Sequence, residues 1–139
     1  MNKLNVRKAI TIIERARDAN KVLDMGIWQG ENGEEVALYE INCDTPCCFA
    51  GYVAISNEFQ ADGGSVDQSC GSPIYKHEVK TTSIRLWLDI SPDQANSLCG
   101  LGVNWAYDGL DDENITFDNV IDALVSLHNT GLLPYEPED

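Results

Sequence analysis

The stretch Thr45-Pro46-Cys47-Cys48-Phe49-Ala50-Gly51-Tyr52-Val53-Ala54-Ile55 decides how this chain is read. Thr45 is a residue that can accept a hydrogen bond from a first-turn backbone N–H, and Pro46 suits the first helical position, where its missing donor has no partner anyway. From Cys47 to Ile55 every residue is apolar or small, so a helix here has no polar face and belongs in a core. Ala50, Gly51 and Ala54 leave room for a neighbouring backbone, while Cys48, Tyr52, Ile55 and Phe59 fall on one stripe. The run is far too short to span a bilayer. The expectation is a central buried helix over 46–57, with the rest of the chain built around it.

Toward the N-terminus, Val6, Ala9, Ile10, Ile13 and Ala16 recur at three and four residues and predict an amphipathic helix over 3–20. Asn32-Gly33 is a two-residue turn signal. It lies between Ile27-Trp28 and the strand-like Val36-Ala37-Leu38-Tyr39-Glu40-Ile41, which predicts a β-hairpin over about 26–41.

Toward the C-terminus, 57–80 is rich in Gly, Ser and Asp and reads as a long loop with a short strand near 74–79. Thr82 or Ser83 can start a short helix through Ile84, Trp87 and Leu88. Ser91-Pro92-Asp93-Gln94 is a capping-box signature for a helix that stops at Gly100. Thr116 caps a last helix with Phe117, Val120, Ile121, Leu124 and Leu127 on its core stripe and Gly131 at its end. The fold class is α+β, mainly α: about five helices around the helix over 46–57, with the hairpin at 26–41. They form one domain over 1–133, followed by an acidic tail over 134–139.

Charge is unevenly placed along the 139 residues. Nine Lys/Arg and 23 Asp/Glu give a net charge of −14, and from Leu86 to the end there is no Lys or Arg at all. A field of that sign repels nucleic acid and anionic membranes and attracts basic surfaces. Direct nucleic-acid binding and membrane association are therefore not expected. Five cysteines, an odd number, with no secretion-type apolar segment, lead to the expectation of reduced thiols and a cytoplasmic location.

Several constellations could carry chemistry. Cys47 in the first turn of the central helix is placed where the macrodipole favours thiolate, and His77 or His128 would have to serve as its base. Burial is the stronger reading of that thiol. Cys43, Cys47 and Cys48 lack the paired spacing of a structural zinc site, so no metal is expected. The run from Asp108 to Asn119 echoes a calcium loop but fails at Leu110, Glu113 and Asn119, where a ligand, a glycine and a bidentate carboxylate are needed. Gly100-Leu101-Gly102 is too little for a dinucleotide site, and no cofactor is expected. Asp108, Asp111, Asp112 and Glu113, with Asp118 and Asp122 on the following helix, are better read as an acidic binding surface. Lys76, His77, Lys80 and Arg85 form a small basic group that could meet an anion.

The order of the motifs resembles a small family found in bacterial genomes and their phages. The resemblance runs over about 4–131: Asp24-Met25-Gly26-x-Trp28, Cys43-x-Thr45-x-x-Cys48-x-Ala50-Gly51, then Leu88-x-Ile90-Ser91-Pro92-Asp93-Gln94-Ala95 and Trp105 before a final helix. Members usually have Gly where Asp44 stands and Trp where Tyr52 stands. The resemblance aligns the family's cysteines with Cys43 and Cys48, which makes Cys43 a better candidate for chemistry than the extra thiol Cys47. It implies bacterial or phage context and no particular activity.

The leading expectation is a protein that acts by binding a basic protein surface through its acidic half. A phage-encoded antagonist of a host defence complex, such as restriction or CRISPR machinery, is one such protein. The alternatives are a cysteine-dependent hydrolase or transferase using Cys43 or Cys47 with His77 or His128, and a sponge for a nucleotide signal.

Overall fold

A computed structural model describes residues 1–23, 25, 48–67, 72–111 and 114–137. Among them are six helices and a small antiparallel sheet, so the chain is α+β and mainly α. In chain order the elements are α1 (Lys3–Asp18), α2 (Phe49–Ile55), α3 (Asn57–Ala61), β1 (Ser65–Val66), β2 (Pro73–Tyr75), β3 (Glu78–Val79), α4 (Lys80–Leu88), α5 (Pro92–Leu98) and α6 (Phe117–Thr130). No helix among the described residues is long and apolar enough to cross a membrane.

α1 is capped by Asn2, whose side chain accepts from the Asn5 N–H, and it buries Val6, Ala9, Ile12, Ile13 and Ala16. The buried face is centred nearer Ile12 than expected, leaving Ile10 half-buried. The helix ends just before Asn20, whose φ of 57° cannot continue a right-handed helix. α1 lies antiparallel to α6: Arg7 reaches His128 at one end of the pair and Arg17 reaches Asp118 at the other.

The central helix is shorter than the sequence predicts. It runs from Phe49 to Ile55 rather than over 46–57, because Cys48 is extended (φ −80°, ψ 178°) and takes the capping role itself. Its Sγ accepts from the Gly51 N–H at 3.4 Å. At the other end Ser56 is also extended and does two jobs: its Oγ donates to the Val53 carbonyl at 2.7 Å and accepts from the Phe59 N–H at 3.2 Å. One hydroxyl thus closes α2 and opens α3. The buried character of α2 is as expected, with Phe49, Ala50, Val53 and Ala54 fully inaccessible. Thr45 and Cys47, like the hairpin expected over 26–41, lie outside the described residues.

The region over 57–80, expected to be mostly loop, carries α3 and the sheet. Its strands are ordered β1-β2-β3, with Ser65 opposite Ile74, Val66 opposite Pro73, Ile74 opposite Val79 and Tyr75 opposite Glu78. The strand expected near 74–79 is therefore a hairpin. Its two turn residues, Lys76 and His77, have φ of 51° and 67°, the geometry of the tight turn whose twist matches that of paired strands.

β3 passes directly into α4 at Lys80, before the Thr82 or Ser83 start suggested by capping, and no side chain caps it. α5 and α6 match expectation closely. Ser91 and Gln94 form the capping box of α5, Thr116 and Asn119 form that of α6, and Gly131 closes α6 with φ 78°. α6 buries Val120, Ala123, Leu124 and Leu127, while Phe117 and Ile121 sit at the edge of the core. Trp87 on α4 meets Phe59 edge-on, with ring centroids 5.2 Å apart, and fixes the sheet-side layer against α3.

Candidate functional site

The basic residues of α1 are largely spent inside the molecule. Lys8 Nζ donates to both oxygens of Asp62 at 2.9 and 3.1 Å, and Asp62 also accepts from Trp87 Nε1 at 3.0 Å. Arg15 makes a two-pronged pair with Glu58, both contacts at 2.9 Å. Arg17 donates to Asp118 at 2.8 Å and to Asp18 at 3.1 Å. The Lys8 hydrogen bond, aided by Trp87, holds the Asp62 carboxyl below its ordinary range, and Arg15 does the same for Glu58. The Asp118 contact raises the Arg17 guanidinium further. These pairs tie α1 to α3 and α6, and they leave the acids of the C-terminal half with few internal counter-charges.

Two of those acids face a groove of about 430 Å³. Asp108 and Leu110 enter from the loop before α6, Asn119 and Asp122 from α6, and Pro134 and Tyr135 from the segment after it. Asp108 and Gly109 both have positive φ (50° and 72°), which turns this loop sharply. Ala106 and Tyr107, both buried, complete the lining. Tyr107 is buried, its hydroxyl donates to the Leu98 carbonyl at 2.6 Å, and burial pushes its phenol well above the usual value, so it stays protonated.

The walls are fastened from behind. The Trp105 and Ala106 N–H groups both donate to Ser97 Oγ, at 3.0 and 2.9 Å. Tyr135 N–H donates to the Trp105 carbonyl at 2.8 Å. The Glu136 carboxylate accepts from Gln94 Nε2 at 2.9 Å and from the Leu133 N–H at 3.0 Å. The start of the acidic tail is thus held against the body. Leu110 and Tyr135 remain 43% and 55% exposed, an apolar pair beside two carboxylates. Such a site suits a cationic side chain with an aliphatic stem, which can lay its methylenes on Leu110 and Tyr135 and its charge between Asp108 and Asp122.

The remaining acids expected in the site are placed differently. Asp111 is exposed in the same loop, outside the groove lining. Asp118 is one turn before Asp122 on α6 and is engaged by Arg17. Asp112 and Glu113 lie outside the described residues. Leu110, Asn119 and Tyr135 were not anticipated. The signal available in the sequence was the unusual Pro134-Tyr135 pair, an aromatic residue in an otherwise acidic tail.

Of the residues considered for cysteine chemistry, Cys43 and Cys47 lie outside the described residues. His77 is exposed at the tip of the β2–β3 turn. His128 is held on α6, its Nε2 accepting from Arg7 Nε at 3.2 Å and its Nδ1 2.9 Å from Asn129 Oδ1. Cys99 is buried, and burial, with Cys48 nearby, pushes its thiol far above the ordinary range, so it is not a thiolate nucleophile.

Lys76, His77 and Lys80 are exposed around the hairpin tip, with Lys76 Nζ 5.4 Å from the Tyr75 ring centroid, and Arg85 lies further along α4. Among the described residues no three His, Cys, Asp or Glu side chains are grouped to hold a metal ion.

Compared with known protein families, with curated proteins and with solved structures, the chain finds no match.

Proposed function

We propose that this protein acts by binding a basic segment of another protein, with the groove of Asp108, Leu110, Asp122 and Tyr135 as the anchor point. The observation that carries this reading is the convergence of two carboxylates and two exposed apolar side chains on one supported cavity. The charge arrangement supports it as well. Residues 86–139 contain no Lys or Arg, so an arriving cation meets no Lys or Arg repulsion from that part of the chain. Individual exposed charge pairs contribute only about 0.2–1 kcal/mol each, so the apolar contacts must supply much of the affinity and the charges mainly speed and orient the encounter. A nucleic-acid-binding complex of a bacterial host, which presents Lys- and Arg-rich surface, is the class of partner this fits. The motif resemblance to a bacterial and phage family supports a phage-encoded antagonist of host defence as the biological setting.

The test is fluorescence anisotropy with a labelled peptide alternating arginine and leucine. Binding should weaken several-fold as salt rises from low to physiological ionic strength, and it should be lost in the double variant Asp108→Lys/Asp122→Lys. Equal binding by the wild type and the double variant would refute the proposal.

A further inference from the structure

A second cleft, sharing no residue with the acidic groove, lies between the C-terminal half of α1 and the α2–α3 junction. Its volume is about 400 Å³, within the range of small-molecule sites. Ile12, Ala16, Tyr52 and Ile55 give it apolar walls, and Arg15 and Lys21 also line it. The hydroxyls that line it are committed elsewhere: Tyr52 donates to the Val22 carbonyl, and Ser56 Oγ serves Val53 and Phe59. The hydroxyls of the wall are therefore already used, and what the cleft offers a visitor is apolar surface, the Asn57 carboxamide and positive charge.

The charges can be counted. Arg15 is matched by Glu58, and Arg17 by Asp18 and Asp118. Lys21 makes no ion pair among the described residues, although it is half-buried beside an apolar wall in a chain of net charge −14. An ammonium in that position attracts an anion whose remaining bulk is apolar. We infer that this cleft binds a small amphipathic carboxylate, an aryl- or branched-alkyl acid, with its carboxylate on Lys21 and its apolar part against Ile12, Ala16 and Ile55. This site is independent of the proposed protein-binding groove.

The experiment is amide-resolved NMR of the full chain with three probes: hydrocinnamate, phenethylamine and propionate. Hydrocinnamate should move the amides of Ala16, Ala19, Lys21, Ile55 and Asn57 saturably. Phenethylamine, which has the ring without the anion, and propionate, which has the anion without the ring, should each bind at least about tenfold more weakly. Lys21→Gln should weaken hydrocinnamate about tenfold. Ala19→Trp, a change at an exposed helix-end position that places an indole at the mouth, should abolish the shifts while leaving thermal unfolding unchanged. Equal binding of hydrocinnamate and phenethylamine, shifts centred away from these residues, or no saturable shift with any probe would each overturn the inference.

Discussion

Arg17 Nη1 donates to Asp118 Oδ1 at 2.8 Å, joining the last turn of α1 to the first turn of α6. Each partner also sits at the helix end its charge favours, the cation at a C-terminus and the anion at an N-terminus. This contact gives Asp118, still 71% exposed, a cation of its own, and Asp108 and Asp122 are the pair that faces the groove. Asp118→Asn should therefore lower the melting temperature slightly and leave affinity for a basic peptide unchanged. Thermal unfolding and anisotropy on the same preparation check both halves of that expectation.

The Lys8–Asp62–Trp87 cluster makes a pH prediction. Asp62 and Glu58 have carboxyls held below their unfolded values, chiefly by hydrogen bonds from Lys8 and Arg15. A depressed carboxyl contributes stability that is fully present above the unfolded value of about 4 and is lost as pH falls through the folded one. Urea unfolding should show the wild type losing stability below pH of about 4. The double variant Asp62→Asn/Glu58→Gln should start lower at neutral pH, by about 1 kcal/mol given the partial exposure of both pairs, and should lose less on acidification.

Gly64 is held open for the Phe59 ring. A Cβ at Gly64 would lie 2.3 Å from Phe59 Cε2, and the ring cannot retreat because it is fully buried against Trp87. Gly64→Ala should destabilise by about 1–3 kcal/mol, as overpacking does in a filled core. Adding Phe59→Leu should recover part of that loss, although Phe59→Leu alone is destabilising. Denaturant midpoints of the four proteins close the cycle.

Gln94 serves two structures at once. Its Oε1 accepts from the Ser91 N–H at 3.1 Å to complete the α5 capping box, while its Nε2 donates to the Gly131 carbonyl at 3.0 Å and to Glu136 at 2.9 Å. Gln94→Ala should cost about 1 kcal/mol, because the capping box loses one of its two bonds and two acceptors at the edge of the core lose their donor. Amide exchange should accelerate at Tyr135, whose N–H bond to Trp105 depends on that segment staying in place.

What the sequence disclosed followed from how local each signal was. α5 and α6 were legible because Ser91–Gln94 and Thr116–Asn119 act within one turn and need nothing from the rest of the fold. The start of α2 was misread because Thr45-Pro46 carries the ordinary signature, whereas Cys48 takes the cap with a sulfur acceptor. α3 was hidden because Ser56 both stops one helix and starts the next, a double role that a Gly/Ser/Asp-rich neighbourhood obscures. The β2–β3 hairpin was only half visible, since Lys76-His77 takes a turn usually given to Asn and Gly.

The site followed the same logic. Asp108 and Asp122 could be named from composition alone. Their pairing with Leu110 and Tyr135, and the contact of Asp118 with an arginine 101 residues away, exist only in the folded chain.

The proposed docking of a basic segment uses the groove bounded by Asp108, Leu110, Asp122 and Tyr135. The most direct measurement is an amide-resolved NMR titration of the protein with the arginine-leucine peptide. Docking in the groove should give saturable shifts concentrated at Tyr107, Asp108, Leu110, Asn119, Asp122 and Tyr135, with Asp118 and the Lys8–Asp62 cluster unaffected. Shifts spread evenly over every exposed carboxylate, or absent from the groove, would contradict it.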